Sequence, residues 1–459
     1  MIFNKKLNCF KSYDIRGKIG EELDDGIAYR IGCALGQSLN ARTVVLGFDA
    51  RESSPSLASA LARGICDIGA DVLEIGLAGT EEMYAAVVQC NACAGVEVTA
   101  SHNPIDYNGM KIVKRGSQPL SDKEYVNLKK LTEENKFTIP KISGSIIDVK
   151  GSARTNFINK IISFIDLNDL KPLKIVINSG NGAAGPTIEA LNSKLNEKGL
   201  MTNFIHLHKD PDFSFPNGIP NPLLEENQSS TANAVIDEGA DFGVAFDGDF
   251  DRCFLFDQFG NFIPAEYIIG LLAELFLTKE QEATIIHDSR VVWNTMDIIE
   301  KLGGHSKLSN AGHIFFKSAM RESKAIYGGE ISAHHYFKDF FYCDSGMIPW
   351  LLVWELLSKS NSSLADLVGK RKSMFPSSGE INFEVSDGPS CIQFLKHSMA
   401  KEALHIDDYD GLSISFETWR FNLRQSKTEP LVRLNIETRG SEVLLKEKIE
   451  EITNLINNI

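Results

Sequence analysis

The sequence lacks any uninterrupted apolar run long enough to span a bilayer, and its N-terminal stretch, MIFNKKLNCFKSYDIRG, lacks the apolar core of a secretory signal. Basic residues are in the minority, with 47 Lys and Arg against 61 Asp and Glu and a formal net charge of -14. A net-acidic chain is a poor candidate for general binding to nucleic acid or anionic membranes, although local basic groups can still bind an anionic substrate. We therefore expect a cytoplasmic protein whose partners include neither nucleic acid nor membrane.

Cysteine is too sparse and too scattered to build the fold from disulfides or zinc sites. The chain has eight cysteines, of which only Cys90 and Cys93 show C-x-x-C spacing. That spacing is found in redox sites and in half of a zinc site, but no second pair of cysteines or histidines completes a zinc set. We interpret the eight side chains as ordinary thiols in a reducing compartment.

The order of apolar and amphipathic segments indicates several α/β domains. A chain of 459 residues is too long for one hydrophobic core, and ordinary domain sizes suggest roughly three or four domains. Short apolar runs that read as buried strands lie at residues 43–47, 96–99, 174–177 and 284–286. Helical patterns lie between such runs, for example at residues 56–68 and 267–277. This alternation predicts α/β domains with largely parallel sheets.

Three polar or turn-rich segments mark candidate domain boundaries, at residues 136–145, 257–261 and 370–379. Beyond the last of them, residues 381–385 and 432–436 alternate like half-exposed strands, which favours a smaller α+β domain. The predicted domains are residues 1–146, 147–257, 258–371 and 372–459.

The strongest local motif is DGDFDR at residues 247–252, which follows one apolar run and precedes another. Its three carboxylates, Asp247, Asp249 and Asp251, can converge on one hard cation such as Mg²⁺ or Ca²⁺. An EF-hand would need Gly at its sixth position and Glu at its twelfth, where this chain has Arg252 and Gln258. A solvated acidic turn explains the motif poorly, because crowded carboxylates repel one another without a cation.

The second motif, TASHNP at residues 99–104, follows a predicted strand and ends in a turn signal, so that Ser101 should be presented on a loop. A serine hydroxyl is a weak nucleophile that needs activation or prior modification. No G-x-S-x-G elbow is present here, and a hydrolase triad is therefore not indicated. Taken alone, a Ser-His pair on a loop, with Lys111 shortly after it, has a purely structural interpretation as well.

Two further motifs suit a phosphosugar. GGEISAHH at residues 328–335 places Glu, Ser and His at alternate positions, which suits a sugar, although a polar strand end is an alternative. RQSKTEP at residues 424–430 interleaves two cations with two hydroxyls, which suits a phosphate. Taken alone, the second motif reads equally as a solvated basic turn.

The ordered set of four motifs, one in each predicted domain, resembles the α-D-phosphohexomutase superfamily, that is, the phosphoglucomutase/phosphomannomutase family. The resemblance extends over nearly the whole chain and includes SYDIRG at 12–17 and FPNGIPNP at 215–222. The segments at 78–82 and 336–350 are similar to the bacterial phosphomannomutase branch. It implies an α/β fold of four domains around a central cleft, three similar α/β domains with mixed, largely parallel sheets and a mobile C-terminal α+β domain.

The resemblance also implies roles for individual residues. Ser101 would be the phosphorylated serine, and one Mg²⁺ would be bound by that phosphoserine, Asp247, Asp249 and Asp251. The groups around the reacting phosphate would be His102, Arg252, Arg16 and, as general acid/base, Lys111. Glu330, Ser332 and His334 would bind sugar hydroxyls. The non-reacting phosphate would be held by Arg424, Ser426, Lys427 and Thr428.

Several positions depart from the pattern of the family. Ala333 stands where many relatives have Gly, and Lys427 stands where Asn or Gly is commoner. His313, a further candidate for substrate binding, is preceded by Asn310-Ala311-Gly312 instead of the frequent Lys-Thr-Gly, and Arg290, another candidate, replaces a frequent Lys. A proton carrier at neutral pH needs a lowered pKa, so we expect burial and neighbouring cations to lower that of Lys111.

The activity that the resemblance implies is the interconversion of mannose 6-phosphate and mannose 1-phosphate for GDP-mannose and surface polysaccharide synthesis. A hexose 1,6-bisphosphate would be both intermediate and activator, hexose phosphates the ligands, and the enzyme a monomer or weak homodimer. Glucose phosphates remain an alternative, since the two sugars differ only at the C2 hydroxyl. A non-catalytic paralogue that binds phosphosugars is the third hypothesis.

Overall fold

The computed structural model describes residues 6–426 and 431–458, which form two compact units. Unit 1 consists of residues 6–262 and 339–361, and unit 2 of residues 263–338, 362–426 and 431–458. The described helices are α1 Asp25–Ser38, α2 Ser54–Asp67, α3 Thr80–Gln89, α4 Asp122–Glu134, α5 Lys150–Ile162, α6 Ala184–Glu197, α7 Ser229–Glu238, α8 Ala265–Lys279, α9 Trp293–Lys301, α10 His313–Ser323, α11 Met347–Lys359, α12 Leu364–Met374, α13 Gly388–Met399 and α14 Glu442–Asn457.

The strands confirm the predicted α/β character. They are β1 Ile15–Lys18, β2 Thr43–Phe48, β3 Asp71–Leu77, β4 Ala94–Val98, β5 Tyr107–Lys114, β6 Gln118–Pro119, β7 Ile146–Asp148, β8 Lys174–Asn178, β9 Asn203–Leu207, β10 Phe242–Phe246, β11 Cys253–Phe256, β12 Phe262–Ile263, β13 Thr284–Asp288, β14 His305–Ser309, β15 Tyr327–Gly329, β16 His335–Phe337, β17 Cys343–Asp344, β18 Ser377–Glu384, β19 His405–Asp407, β20 Leu412–Ser415, β21 Trp419–Gln425 and β22 Leu431–Thr438.

Unit 1 contains two mixed sheets. The first has the order β1-β5-β4-β2-β3-β7, with β6 paired to β5, and its β4-β2-β3-β7 part is parallel. The second has the order β12-β11-β10-β8-β9, in which β10, β8 and β9 are parallel and β11 is antiparallel to β10. Strands β4 and β10 are buried along their whole length, as expected for central strands covered on both faces. Both strands end directly at motifs that the sequence singled out.

The helices of unit 1 begin where the sequence supplies start signals. Asp24 caps α1, and Ser121 and Glu124 form a capping box on α4. Helix α11 follows unit 2 residues in the chain but packs in unit 1, where Trp350 and Trp354 lie edge-on to Phe204 of β9 at centroid distances of 5.8 and 5.6 Å. The chain therefore returns to unit 1 before it completes unit 2. The predicted boundaries after residues 146, 257 and 371 stay a prediction.

Unit 2 also contains two sheets. In one, β14, β13, β15 and β16 follow one another, with β13 parallel to both neighbours and β16 antiparallel to β15. The other is wholly antiparallel, in the order β18-β22-β21-β20-β19, and packs its apolar side on α13 and α14. The alternation of exposed and less exposed residues along β18 is the pattern predicted for a half-exposed strand. This last sheet confirms the expected C-terminal α+β region.

No helix in the described part of the chain is both long enough and apolar enough to cross a membrane. All eight cysteines carry free thiols in the structure, which is consistent with their interpretation as ordinary side chains.

A buried carboxylate joins the antiparallel sheet of unit 2 to helix α9. Glu437 of β22 accepts hydrogen bonds from the backbone N–H groups of Val292 (2.8 Å) and Trp293 (2.9 Å) at the start of α9. It also accepts one from Arg420 Nη1 (2.8 Å), whose side chain is equally buried. Because a carboxylate at a helix N-terminus satisfies free N–H groups, Glu437 both caps α9 and neutralises Arg420.

We expect Glu437→Gln to destabilise the protein by roughly 3 kcal/mol, because it leaves the buried Arg420 guanidinium without its counter-charge. Urea unfolding followed by tryptophan fluorescence would measure the change as a lower midpoint. Glu447→Gln, at an exposed position of α14, is the matched control and should leave the midpoint unchanged. Equal midpoints for the two variants would contradict this account of the junction.

Candidate active site

Ser101 lies on a loop that directly follows β4, and the loop is held in a strained conformation. Ser101 has φ of 50°, a left-handed value that costs free energy for a residue other than glycine. Arg51 compensates by donating hydrogen bonds to the carbonyl oxygens of Ser101 (2.9 Å), Asn103 (2.6 Å), Pro104 (2.8 Å) and Tyr107 (2.9 Å). Arg51 is buried and was not predicted from the sequence, because no local pattern links it to the loop.

The three predicted metal ligands lie on the turn between β10 and β11. Asp247, Asp249 and Asp251 are all buried, and each offers a carboxylate oxygen within 4.8 Å of those of the other two. Oδ1 of Asp249 is buried without a hydrogen-bond partner in the described part of the chain. Buried carboxylates so close together repel one another and are suited to hold a hard cation. The donor set therefore fits a divalent metal ion.

The serine loop and the carboxylate turn meet, although 146 residues separate Ser101 from Asp247 in the chain. Ser101 Oγ donates a hydrogen bond to Asp247 Oδ2 at 2.8 Å and lies 3.1 Å from His102 Nδ1. The approach requires glycine at position 248, since a Cβ there would lie 2.7 Å from the Ser101 carbonyl oxygen. The structure thus brings together the predicted nucleophile and a predicted metal ligand.

Arg252 closes the carboxylate turn and connects it to His102. Its Nε and Nη2 donate hydrogen bonds to Asp247 Oδ2 at 3.0 and 2.8 Å, and Nη2 also contacts His102 Nδ1. The positive charge of Arg252, followed by burial, holds the pKa of His102 well below its ordinary value. His102 is therefore neutral near pH 7 in this arrangement.

Lys111 joins the same cluster from β5. Its Nζ donates a hydrogen bond to Asp249 Oδ2 at 2.7 Å and another to Asp251. Burial alone would lower the pKa of Lys111, but the ion pairs with Asp249 and Asp251 outweigh it, and the pKa stands above its ordinary value. The expectation of a lowered pKa is thus wrong for this structure, because the carboxylates around the ammonium outnumber the cations.

Arg16 and Thr80 complete the surroundings. Arg16 Nη1 donates a hydrogen bond to Asn103 Oδ1 at 2.9 Å, which places it beside the serine loop as predicted. Thr80, the first residue of α3, donates its hydroxyl and its backbone N–H to Asp249, the latter at 3.1 Å to the carbonyl oxygen. Thr80 was not predicted as a site residue. Its only sequence signal is the helix start in the segment at 78–82.

The predicted sugar-binding residues form a second cluster, in unit 2. The Ser332 hydroxyl bonds the Glu330 carboxylate and lies 3.0 Å from His334 Nδ1. Ala333 between them has φ of 71°, a left-handed value that favours glycine. Burial raises the pKa of Glu330. Three polar groups thus converge on one side of the loop, as the alternation predicts.

His313 and Arg290 lie close to this loop. Gly312, the residue before His313, donates its N–H to Glu330 Oε2 at 2.9 Å, so that α10 begins at the loop. Arg290 pairs with Asp288, which also accepts the Ile331 N–H at 3.2 Å. The structure therefore groups both weaker candidates with the sugar loop.

The predicted phosphate-binding motif, RQSKTEP at residues 424–430, lies only partly within the described residues. Arg424 is the penultimate residue of β21 and donates from Nη2 to Glu380 Oε2 at 3.1 Å. Ser426 directly follows β21, and its N–H is bonded to the Leu431 carbonyl oxygen at 2.9 Å. Lys427 and Thr428 lie outside the described residues. Arg433 of β22 reaches the same carboxylate at 3.1 Å. Glu380 and Arg433 were not predicted, since nothing local relates them to the motif.

The chain matches four family models in succession. Each is described as phosphoglucomutase/phosphomannomutase, and they match alpha/beta/alpha domain I at residues 7–139, domain II at 155–260, domain III at 264–374 and the C-terminal domain at 380–455. These matches lie in the same order as the four predicted domains.

Curated proteins and solved structures agree with these models. The chain is 52% identical over 457 residues to a phosphomannomutase of Salmonella montevideo, covering 98% of this chain and 99% of that protein. It is 47% identical over 451 residues to proteins named phosphohexose mutases in Xanthomonas campestris pv. campestris (strain B100), with 98% and 99% covered. A crystal structure of a phosphoglucomutase/phosphomannomutase family protein from Burkholderia thailandensis has a TM-score of 0.87 at 30% identity and covers 100% of this chain and 98% of that chain.

We expect Mg²⁺ to raise the thermal unfolding temperature of the protein by a few degrees, because it relieves the repulsion among three buried carboxylates. Asp249→Asn should remove most of this increase by removing one charge and the unpartnered oxygen. The measurement is differential scanning fluorimetry in millimolar Mg²⁺ and in EDTA.

The control is Asp237→Asn, an exposed carboxylate at the end of α7 that should respond to Mg²⁺ as the unaltered protein does. A Mg²⁺ response that survives in Asp249→Asn would show that the stabilising ion binds elsewhere.

Proposed function

Because the chain belongs to the phosphoglucomutase/phosphomannomutase family, we propose that it is a phosphomannomutase that interconverts mannose 6-phosphate and mannose 1-phosphate. The observation that carries the proposal is the Ser101 hydroxyl, bonded to Asp247 inside a buried cluster of three carboxylates, Arg252 and Lys111. Relatives named phosphomannomutase, about half identical over nearly the whole chain, support the substrate. The reaction class is an intramolecular phosphoryl transfer, which makes the enzyme an isomerase.

Ser101 is the proposed phosphoryl carrier. Phosphoryl transfer depends mainly on positioning and on charge neutralisation, and the cluster provides both. The strained loop, tied down by Arg51, fixes the Ser101 oxygen, while Arg252 lies beside it and can offset the charge of a phosphoserine. One Mg²⁺ held by Asp247, Asp249, Asp251 and the phosphoserine of Ser101 would supply Lewis-acid neutralisation of the transferring group.

Proton transfer falls to Lys111 in this proposal, with His102 and Arg16 beside the reacting phosphate. Lys111 is buried and lies on β5, an inner strand of the first sheet. This fixed position suits a group that must meet the substrate hydroxyl at a defined place. The neutral imidazole of His102 can accept a hydrogen bond in the neighbourhood of Ser101. Arg16, held by Asn103, adds positive charge near the serine loop.

Unit 2 is proposed to bind the parts of the substrate that do not react. Glu330, Ser332 and His334 suit sugar hydroxyls, since a buried carboxylate next to a hydroxyl and an imidazole offers both acceptors and donors. The non-reacting phosphate would be held by Arg424, Ser426, Lys427 and Thr428. Arg290 and His313 are further candidates for substrate binding.

The reaction requires the binding site for the non-reacting phosphate to accept the sugar in two orientations. Phosphoserine 101 would donate to the free hydroxyl of mannose 6-phosphate and form the 1,6-bisphosphate, which turns round and returns its other phosphate to Ser101. A trace of hexose 1,6-bisphosphate would act as activator by phosphorylating Ser101 in unphosphorylated enzyme. Guanidinium groups recognise phosphate as such, and a site built on Arg424 would therefore suit either end of the intermediate.

Glucose phosphates are a second candidate substrate, favoured by the relatives named phosphohexose mutases. Mannose and glucose differ only at the C2 hydroxyl, and a site discriminates strongly only where it hydrogen-bonds that group. We further propose a cytoplasmic location, supported by the eight free thiols, and a monomer or weak homodimer that feeds GDP-mannose and surface polysaccharide synthesis.

The deciding experiment is turnover of mannose 6-phosphate and glucose 6-phosphate by protein supplied with Mg²⁺ and a trace of the matching 1,6-bisphosphate. We expect faster turnover of the mannose sugar and a loss of at least a thousandfold in kcat for Ser101→Ala, since the carrier oxygen is removed. Mass spectrometry of a peptide containing Ser101 should show the phosphate after incubation with the bisphosphate.

Two controls make the result interpretable. Chelation by EDTA should abolish turnover reversibly, and Ser152→Ala, an exposed serine at the start of α5, should behave as the unaltered enzyme does. Equal turnover of both sugars would replace mannose specificity by dual specificity. No turnover of either sugar would favour the non-catalytic phosphosugar-binding hypothesis.

A further inference from the structure

Glu380 of β18 receives three guanidinium groups. Arg424 Nη2 and Arg290 Nη1 donate to its Oε2 at 3.1 and 3.3 Å, and Arg433 Nη1 donates to its Oε1 at 3.1 Å. These arginines come from three separate elements of unit 2, and the Glu380 side chain is 25% exposed. The pKa of Glu380 is lowered, because the three positive charges outweigh its burial. The carboxylate is therefore charged at neutral pH.

The sheet register explains why a negative charge is needed at this point. Arg424 of β21 and Arg433 of β22 lie directly opposite each other in the sheet. Two like charges at directly opposite positions destabilise a sheet. Glu380 lies on the neighbouring edge strand, two residues before Asn382, which is the cross-strand partner of Arg433. Its carboxylate can thus bridge both guanidinium groups.

Arg424 retains binding capacity beyond Glu380. Arg424 Nε is buried and has no hydrogen-bond partner among residues 6–426 and 431–458. Guanidinium groups bind phosphate as readily as carboxylate, with the same planar donor geometry. Glu380 carries a single negative charge and contacts all three guanidinium groups, so a doubly charged phosphate would compete with it for Arg424.

We propose that Glu380 is an internal anion that occupies the phosphate-binding arginines and weakens their grip on the substrate phosphate. The inference rests on the proposed function and deepens it, since it identifies a residue that sets substrate affinity without touching the reacting atoms. An incoming phosphate has to displace the carboxylate or bind beside it against electrostatic repulsion. Glu380 is in this sense a positioning residue that acts through Arg290, Arg424 and Arg433.

Weaker binding of phosphate by these arginines suits a reaction in which the bisphosphate intermediate must turn round. The same arginines have to release one phosphate of the bisphosphate and take up the other in every cycle. Binding that is equally strong for substrate and intermediate lowers KM but does not raise kcat, and here it would also slow reorientation. An internal anion that returns to the arginines when the phosphate leaves would assist each release.

The test is isothermal titration of the full chain with inorganic phosphate, comparing the unaltered protein with Glu380→Gln. The glutamine keeps the shape and one acceptor but removes the charge. We expect the dissociation constant for phosphate to fall about fivefold, as for the removal of one partly screened charge beside the ligand. Arg424→Gln should abolish phosphate binding at this site. The part of the titration signal that disappears in this variant therefore belongs to the site around Arg424.

Kinetics of mannose 6-phosphate turnover provides the second readout. In Glu380→Gln we expect KM to fall by a similar factor and kcat to fall as well, whereas Glu380→Asp should restore both values toward those of the unaltered enzyme. Glu384→Gln, the same substitution at an exposed position four residues further along β18, should change neither constant.

Unchanged or weaker phosphate binding in Glu380→Gln would overturn the proposal and show that the carboxylate only organises the arginines. Absence of any Arg424-dependent phosphate binding would overturn it too. Failure of the proposed function is distinguishable from both, since it would appear as absent sugar turnover while the phosphate titrations still answer the question about Glu380.

Discussion

Mutual repulsion of three buried carboxylates is the constraint around which unit 1 is arranged. Asp247, Asp249 and Asp251 stand on one short turn and are shielded from water, so that cations have to be brought to them. Arg252 comes from the position directly before β11, and Lys111 comes from β5 of the first sheet. Meeting this need pulls the two sheets of unit 1 together at the ends of β4 and β10, where Ser101 also lies. The charge that must be neutralised therefore decides where the hydroxyl is placed.

Unit 2 gathers guanidinium groups instead. Arg290 pairs with Asp288, and Glu380 pairs with Arg290, Arg424 and Arg433. Crowded anions attract a metal ion, and crowded guanidinium groups attract a phosphate. A phosphoryl-transfer enzyme needs both kinds of site, and we propose one of them in each unit of this chain.

The sequence was informative wherever a site is local. The alternate aspartates lie on a turn because buried strands flank them, and Ser101 lies on a loop because Asn103-Pro104 ends the strand before it. Arg51, Thr80, Glu380 and Arg433 were missed because only the tertiary fold brings them to the motifs. The sign of the pKa shift of Lys111 was missed for the same reason, since it depends on how many carboxylates surround the ammonium.

Backbone strain shows that the functional loops are preorganised. Ser101, Phe250 and Ala333 all have positive φ values, of 50°, 44° and 71°, and such conformations cost about 1 to 3 kcal/mol each for residues other than glycine. The surrounding structure offsets these costs at the first loop through the hydrogen bonds of Arg51, and at the second by full burial of the Phe250 ring. At the third, the Ala333 N–H bonds the Glu330 carbonyl at 2.9 Å. Rigid hydrogen-bond donors reduce the reorganisation that a phosphoryl transfer requires. A strained loop that is fixed on folding would therefore lower the activation barrier of the proposed transfer. The arginines around Glu380 differ from these loops, because ion pairs and not backbone conformation hold them, and the exchange of Glu380 for a substrate phosphate that we propose requires contacts of this kind.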